Sequence, residues 1–350
     1  MEYTRGVTED QGRTSLPQRP ATIYEVAKVA GVSPSTVSRT FSRPGRVSVR
    51  TADHVRAVAA QLGYRTDGVF RPIQQVATKI IGIAISDLTN PFYFGILRGA
   101  ERAAGKAGYT LLLLDTQESD VIEREILNRV TPLVSGLVIA STRTSDTVLR
   151  SVSKSTPVVV LNRYVGGLAC VVPDSQRGIR RAVEHLAGLG HREIFYLAGP
   201  DAAWANGARW LAVREAAYEL GIHEHRIGPN PPTVEAGHGA ATQVLRRGAR
   251  AVICYNDMMA MGLMRGLAAR GCRVPDDVSV IGFDNNFAAD LVTPRLTTVA
   301  APLATIGETA VRQVLSMIGG ATPRGDAPIA VPVRLVVRSS TAAPSSSRST

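Results

Sequence analysis

Apolar positions along the chain change period near residue 80, and the change divides it. In Thr22–Tyr64 they recur at helical spacing. Ile23, Val26, Ala27 and Ala30 share one face, Thr22-x-x-Glu25 has the form of a capping box, and Gly31 supplies a stop. Ser33 followed by Pro34 reads as an N-cap and first helical residue of a second helix that buries Val37 and runs to about Phe41. A third helix is expected from near Ser48, burying Ala52, Val55, Ala59 and Leu62 and stopping at Gly63. Two short helices about a tight turn, closed by a third, predict a helix-turn-helix.

From Ile80 the pattern becomes short apolar runs, IIGIAIS, TLLLLDT, GLVIAS, VVVLN, CVVPD, EIFYLAG, AVICYND and VSVIGFD. Between them lie amphipathic stretches at 92–107, 120–133, 176–189, 207–220, 236–247 and 258–270. This alternation predicts α/β architecture with parallel sheets covered on both faces, and so many buried strands predict two successive lobes. Polar residues end the runs: Asp87, Thr116, Ser141, Asn162, Asp174, Asn256 with Asp257, and Asp284. Carboxyl ends of parallel strands form the ligand crevice of such sheets, so these positions predict a polar cleft between the lobes.

Charge sharpens the division. The chain of 350 residues carries a net +11, and residues 20–79 hold nine basic and three acidic residues, a surplus of six. That concentration favours an anionic partner for the helical segment. Hydrophobic residues at 45% and charged ones at 20% allow sizeable cores. Cys170, Cys254 and Cys272 are widely spaced and odd in number, which indicates neither a disulfide framework nor a metal site. No signal-like N-terminus or membrane-length apolar run is visible, so a cytoplasmic protein without a membrane partner is expected. Residues 1–19 and 339–350 read as disordered tails, 20–64 as the headpiece, 65–79 as a linker and 80–338 as the two-lobed domain.

Candidate chemistry is that of binding. No G-x-S-x-G, H-E-x-x-H or C-x-x-C occurs, and no cofactor motif is read. Gly99 to Gly105-Lys106 has one residue too many between the glycines for a phosphate loop and lies inside an expected helix, while His223 and His225 flank a Glu expected in a solvated loop. The alternatives to a DNA-binding regulator are a cytoplasmic small-molecule binding protein or a sugar or nucleotide enzyme without operator binding. A free-standing periplasmic sugar-binding protein is opposed by the helical segment.

The second helix, with Pro34, Ser35, Thr36, Ser38 and Arg39, suits end-on entry into a major groove about 12 Å wide, its hydroxyls and amides holding phosphates. TIYEVAKVAGVSPSTVSR, VSVRTADHVRAVAAQLGY, NPFYFGILRGAERAAGKAGY, RRAVEHLAGLGHREIFYLAGP, YNDMMAMGLMRGLAARGCRVPDDVSVIGFD and TPRLTTV resemble, in order and spacing, the lactose-repressor and galactose-repressor family of bacterial transcription regulators. The resemblance runs from about Ala21 to Val337. It implies a repressor acting as a homodimer on a pseudo-palindromic double-stranded operator, and a core like that of periplasmic sugar-binding proteins whose effector, a sugar or related metabolite, alters operator affinity. Carried over residue by residue, it places DNA contacts on Tyr24, Ser33, Pro34, Ser35, Ser38, Arg39 and Arg46, and a minor-groove wedge on Ile73. The effector would meet Phe92, Tyr93, Asn162, Asp174, Arg209, Asn256 and Asp284. Met258, Met259, Met261 and Met264 lie on a helix that contributes to the family's dimer interface, or form a soft core stripe.

This chain departs from the family in three places. Ala212 stands where Gly is usual, and Pro232 lies near a position often held by an aromatic. The linker YRTDGVFRPI sets Pro72 inside the expected hinge helix, at a cost of about 3 kcal/mol, which predicts that the helix is truncated before Arg71 or absent.

Overall fold

The computed structural model describes residues 21–42, 47–62, 64, 78–322 and 327–344. The chain separates into two compact units, residues 1–77 and 78–350. Arg46, Pro72, Ile73 and the rest of the expected hinge helix lie outside the described residues.

The first unit is three helices: α1 Ile23–Ala30, α2 Pro34–Ser42 and α3 Val49–Gln61. Local chemistry sets their ends. Thr22 and Glu25 form both halves of the capping box, and Gly31 closes α1 at φ 67°, a left-handed conformation that glycine adopts without steric cost. Ser33 accepts from the Thr36 amide at 3.2 Å and Ser48 from that of Thr51 at 3.2 Å. Val26, Ala27, Ala30, Val37, Val55, Val58 and Ala59 form the core, with Phe41 and Tyr64 packed against it. Val58 takes the inward position expected for Leu62, which is more than a third exposed at the frayed end of α3.

In the second unit the order is β1 Ile80–Ile85, α4 Phe92–Lys106, β2 Thr110–Asp115, α5 Asp120–Val130, β3 Gly136–Ala140, α6 Asp146–Ser153, β4 Val158–Leu161 and β5 Ala169–Pro173. Then come α7 Ser175–Gly188, β6 Glu193–Leu197, α8 Trp204–Leu220, β7 His223–Ile227, α9 Val234–Arg246, β8 Ala251–Cys254, α10 Asp257–Ala268, β9 Ser279–Asp284, β10 Thr297–Ala300, α11 Leu303–Ile318, β11 Ile329–Val331 and β12 Arg334–Val336. Lobe 1 is a parallel sheet ordered β11-β5-β4-β3-β1-β2. Lobe 2 is ordered β12-β10-β9-β8-β6-β7, parallel except for β12. In each sheet the second strand of the lobe flanks the first on the side opposite the third, which puts a switch point, and hence a crevice, at the carboxyl ends of the first and third.

The chain passes between lobes three times: after β5, after β10 and after β11. Helix α11 therefore covers lobe 1 although its chain neighbours β9 and β10 belong to lobe 2. It presses Ile306, Val311 and Val314 into the lobe 1 core and crosses α4 closely. Gly99 permits that approach, since a Cβ there would overlap the Ala304 carbonyl. Gly99→Ala is expected to destabilise the fold by about 1–3 kcal/mol through overpacking, read as a lower urea midpoint at unchanged slope. An unchanged midpoint would mean that the two helices are free to separate.

Several expectations are corrected. His223 and His225 belong to strand β7, and His225 stacks on Phe195 with ring centroids 4.6 Å apart. Met259, Met261 and Met264 are buried within the single chain and Met258 packs against the same core, as the core-stripe reading expects. Residues 339–344, expected in the C-terminal tail, are built into lobe 2. Ser340 is fully buried, accepts from the Thr297 amide at 2.8 Å and donates to the Val280 carbonyl at 2.6 Å.

Candidate functional site

A cleft opens between the carboxyl ends of the two sheets. Phe92 and Tyr93, on the first turn of α4, give it an aromatic wall, their rings edge to face at 5.0 Å. The strand ends supply the polar groups, and their backbone is unusual. Ser141 (φ 54°) follows β3, Asn162 (φ 59°) follows β4, Glu118 (φ 56°) lies beyond β2, and Asp284 (φ 117°) ends β9. Left-handed residues other than glycine are uncommon and collect at functional sites, because the surrounding structure must hold them there.

Lobe 2 contributes Arg209 from α8. Its side chain is 2% exposed, stacks 3.5 Å above the Phe283 ring centroid, and donates through Nη1 to the Tyr255 carbonyl. Nη2 lies 3.7 Å from Asp284 Oδ1, and Nε has no partner. Burial pushes the Asp284 carboxyl well above the usual carboxylate range; Arg209 pulls it down and Asp257 pushes it further up. Asp257 is fully buried and raised by burial to about 7, although it accepts from Thr298 Oγ1 at 2.6 Å and the Asn286 amide at 2.9 Å. Lobe 1 presents Asn162, whose Nδ2 donates to Ser141 Oγ at 3.0 Å and whose buried Oδ1 is unpartnered.

Six of the seven expected effector residues therefore line one cleft: Phe92, Tyr93, Asn162, Arg209, Asn256 and Asp284. The Asn256 amide is already occupied, capping the Met259 amide at 2.9 Å and donating to the Pro232 carbonyl at 3.1 Å. Asp174 is the exception. It accepts from the Arg177 amide at 3.1 Å as the N-cap of α7 and is not among the cleft-lining residues. Its strand ends where the chain leaves lobe 1, so the side chain serves the next helix instead. Sequence reasoning missed Ser86, Glu118, Arg143 and Tyr255 as lining residues. Ser141 ends an apolar run and Tyr255 adjoins Asn256, whereas nothing local in the sequence distinguishes Glu118 or Arg143. Among the described residues no group of His, Cys, Asp and Glu could hold a metal, and no helix is long and apolar enough to cross a membrane.

On the headpiece, Tyr24 is 71% exposed, and Ser33, Pro34, Ser35, Ser38 and Arg39 all stand open on or beside the start of α2. Val37 and Thr40 turn inward.

Two family profiles match: "Bacterial regulatory proteins, lacI family" over residues 22–67, and "Periplasmic binding protein-like domain" over residues 183–341. The transcriptional regulator DegA of Bacillus subtilis is 31% identical over 334 residues, covering 91% of this chain and 98% of the relative. GalR of Escherichia coli is 31% identical over 305 residues, covering 85% and 89%. Among solved structures, a Lac repressor dimer bound to operator and the anti-inducer ONPF superposes with a TM-score of 0.69 at 28% identity, covering 93% of this chain and all of that one. The regulator CelR in complex with cellobiose superposes at 0.68 and 28% identity, covering 92% and 100%. The chain thus belongs to the lacI family of bacterial regulatory proteins, and is a DNA-binding transcription regulator rather than an enzyme.

Proposed function

We propose that the protein is a cytoplasmic homodimeric repressor whose affinity for a pseudo-palindromic operator is set by a small neutral metabolite, a sugar or close relative, held between the lobes. One observation carries the effector reading. Asn162 Oδ1 and Arg209 Nε are buried polar atoms without partners, they come from opposite lobes, and they belong to residues that line the same cleft. Buried unpaired polar groups are costly, and one needs a donor while the other needs an acceptor. A ligand hydroxyl is both. The solved relatives add that Lac repressor was captured as a dimer on operator and CelR with cellobiose.

On the headpiece, Arg39 stands one turn into α2 and exposed, where it can read a guanine edge or hold a phosphate. Arg39→Ala is expected to weaken operator binding by about 1–3 kcal/mol, and wild-type affinity should fall steeply with salt as counterions are released. Fluorescence anisotropy on the DNA recovered by genome-wide occupancy mapping measures both. Titrating sugars and nucleosides into that complex tests the effector reading. If none shifts operator affinity or binds by calorimetry, the reading falls.

A further inference from the structure

The lobe 1 wall holds a charged chain that the effector reading does not use. Arg143, its side chain 8% exposed, donates through Nε to Glu118 Oε2 at 2.8 Å and through Nη2 to the same oxygen. Its Nη1 donates to the Ser141 carbonyl at 3.0 Å. The other Glu118 oxygen accepts from Ser86 Oγ at 2.6 Å, and Ser86 Oγ lies 2.7 Å from Tyr93 Oη. All these residues line the cleft. A guanidinium has five N–H donors in a planar fork that matches carboxylate and phosphate, so an open arginine in a cleft invites an anion. Here a carboxylate of the chain itself sits on that fork, and two donors remain. Across the cleft Arg209 Nη2 lies 3.7 Å from Asp284 Oδ1, so an acid of the chain stands near that guanidinium too.

We propose that Glu118 sets the charge selectivity of the cleft. By occupying the Arg143 fork it excludes phosphorylated and carboxylate-bearing metabolites, and it leaves Arg143 two N–H groups to offer an uncharged hydroxyl. This rests on the effector reading above. A ligand phosphate reaching Arg143 would stand beside the Glu118 carboxylate, and like charges at that range repel strongly where water is scarce. The left-handed backbone at Gln117 and Glu118 turns the loop after β2 so that an acid three residues past the strand reaches Arg143 in the loop after β3.

Inorganic phosphate is a probe that does not require the effector's identity. Full-length wild type, Glu118→Gln, Glu118→Ser and the double variant Glu118→Gln/Arg143→Met are melted in phosphate and in chloride at matched ionic strength. Any phosphate bound by the headpiece is common to all four and cancels. The wild type should show no phosphate response beyond that of the double variant. Both single variants should gain a saturable rise in Tm that the wild type lacks, as a phosphate takes the charge-assisted hydrogen bonds of the vacated fork. The double variant should lose the gain. A pair that merely ties the loop to the sheet predicts lower Tm in both salts by equal amounts, and that result overturns the proposal. So does a wild type stabilised by phosphate in a manner that Arg143→Met abolishes. Either failure leaves control of operator affinity by a metabolite standing, because that is read on DNA.

Discussion

Arg209→Met should still occupy its operator but no longer answer to any effector. The arginine is the most embedded charge of the cleft, with one face on Phe283, one donor on the Tyr255 carbonyl and one edge toward Asp284. Methionine keeps the volume and the contact with the ring. What it removes is the unpartnered Nε and the countercharge of Asp284. Breaking a buried pair on one side costs about 3–5 kcal/mol, because the remaining charge is stranded. Burial already drives Asp284 toward its protonated form, so the penalty should shrink as pH falls and the carboxyl takes up a proton. Urea unfolding of wild type and variant at pH 8 and pH 6 reads this as a gap that narrows in acid. The headpiece helices form a separate compact unit, so the variant should still be retained on operator DNA. A variant whose operator affinity still shifts at the wild-type effector concentration would remove Arg209 from the site.

The second large effect is a loss of stability as pH rises, traceable to Asp257. The folded protein keeps this proton up to about 7, whereas the unfolded chain gives it up near 3.8. Between those values the native state binds more protons, so stability is full below the window and falls as pH climbs through it. The loss amounts to a few kcal/mol across the window, shared with Asp284 because the two buried acids titrate as a pair. His185 and His191 act in the opposite sense. Burial lowers both, so below about 6.5 the unfolded chain binds more protons and stability rises with pH there. Asp257→Asn separates the contributions. Its melting temperature should decline less than that of wild type between pH 5 and 8, while the histidine limb stays the same. Parallel curves would show that the Asp257 carboxyl is ionised throughout.

The parts legible in the sequence are those fixed by near neighbours. Thr22 with Glu25, Gly31, Ser33 with Pro34, and Ser48 set the headpiece helices through hydrogen bonds spanning three or four residues. The interior strands announce themselves because both faces are covered, so every position is apolar. Edge strands lack that requirement. HEHRI pairs only with β6 and keeps polar residues half in water, and β11 and β12 are three residues each. Helix α11 shows helical periodicity in Ile306, Ala310, Val311 and Val314, but its destination in the other lobe is a property of topology alone. In the cleft, the rule of polar strand ends found Asn162 and Asp284 and overreached at Asp174, where the strand feeds a crossing. Glu118 and Arg143 each lie three residues past their strands, and left-handed turns built without glycine bring them back. Ser340 sits in a stretch with the composition of a tail, yet its hydroxyl substitutes for a missing ladder bond between Val280 and Thr297.

The three crossings also dictate the order in which this protein can be completed during synthesis. Lobe 1 has five of its six strands once Pro173 is made, but the face that α11 will cover begins to be supplied only at Leu303, 130 residues later. At ~5–20 residues per second the ribosome leaves that apolar face open for about 6–26 s, long enough for a chaperone to find it or for a second nascent chain to stick. Neither lobe can be excised as a continuous fragment. The last two strands then close an edge of each sheet within eight residues, Ile329 to Val336, so a chain ending before Ile329 would be left with two unfinished lobes rather than one.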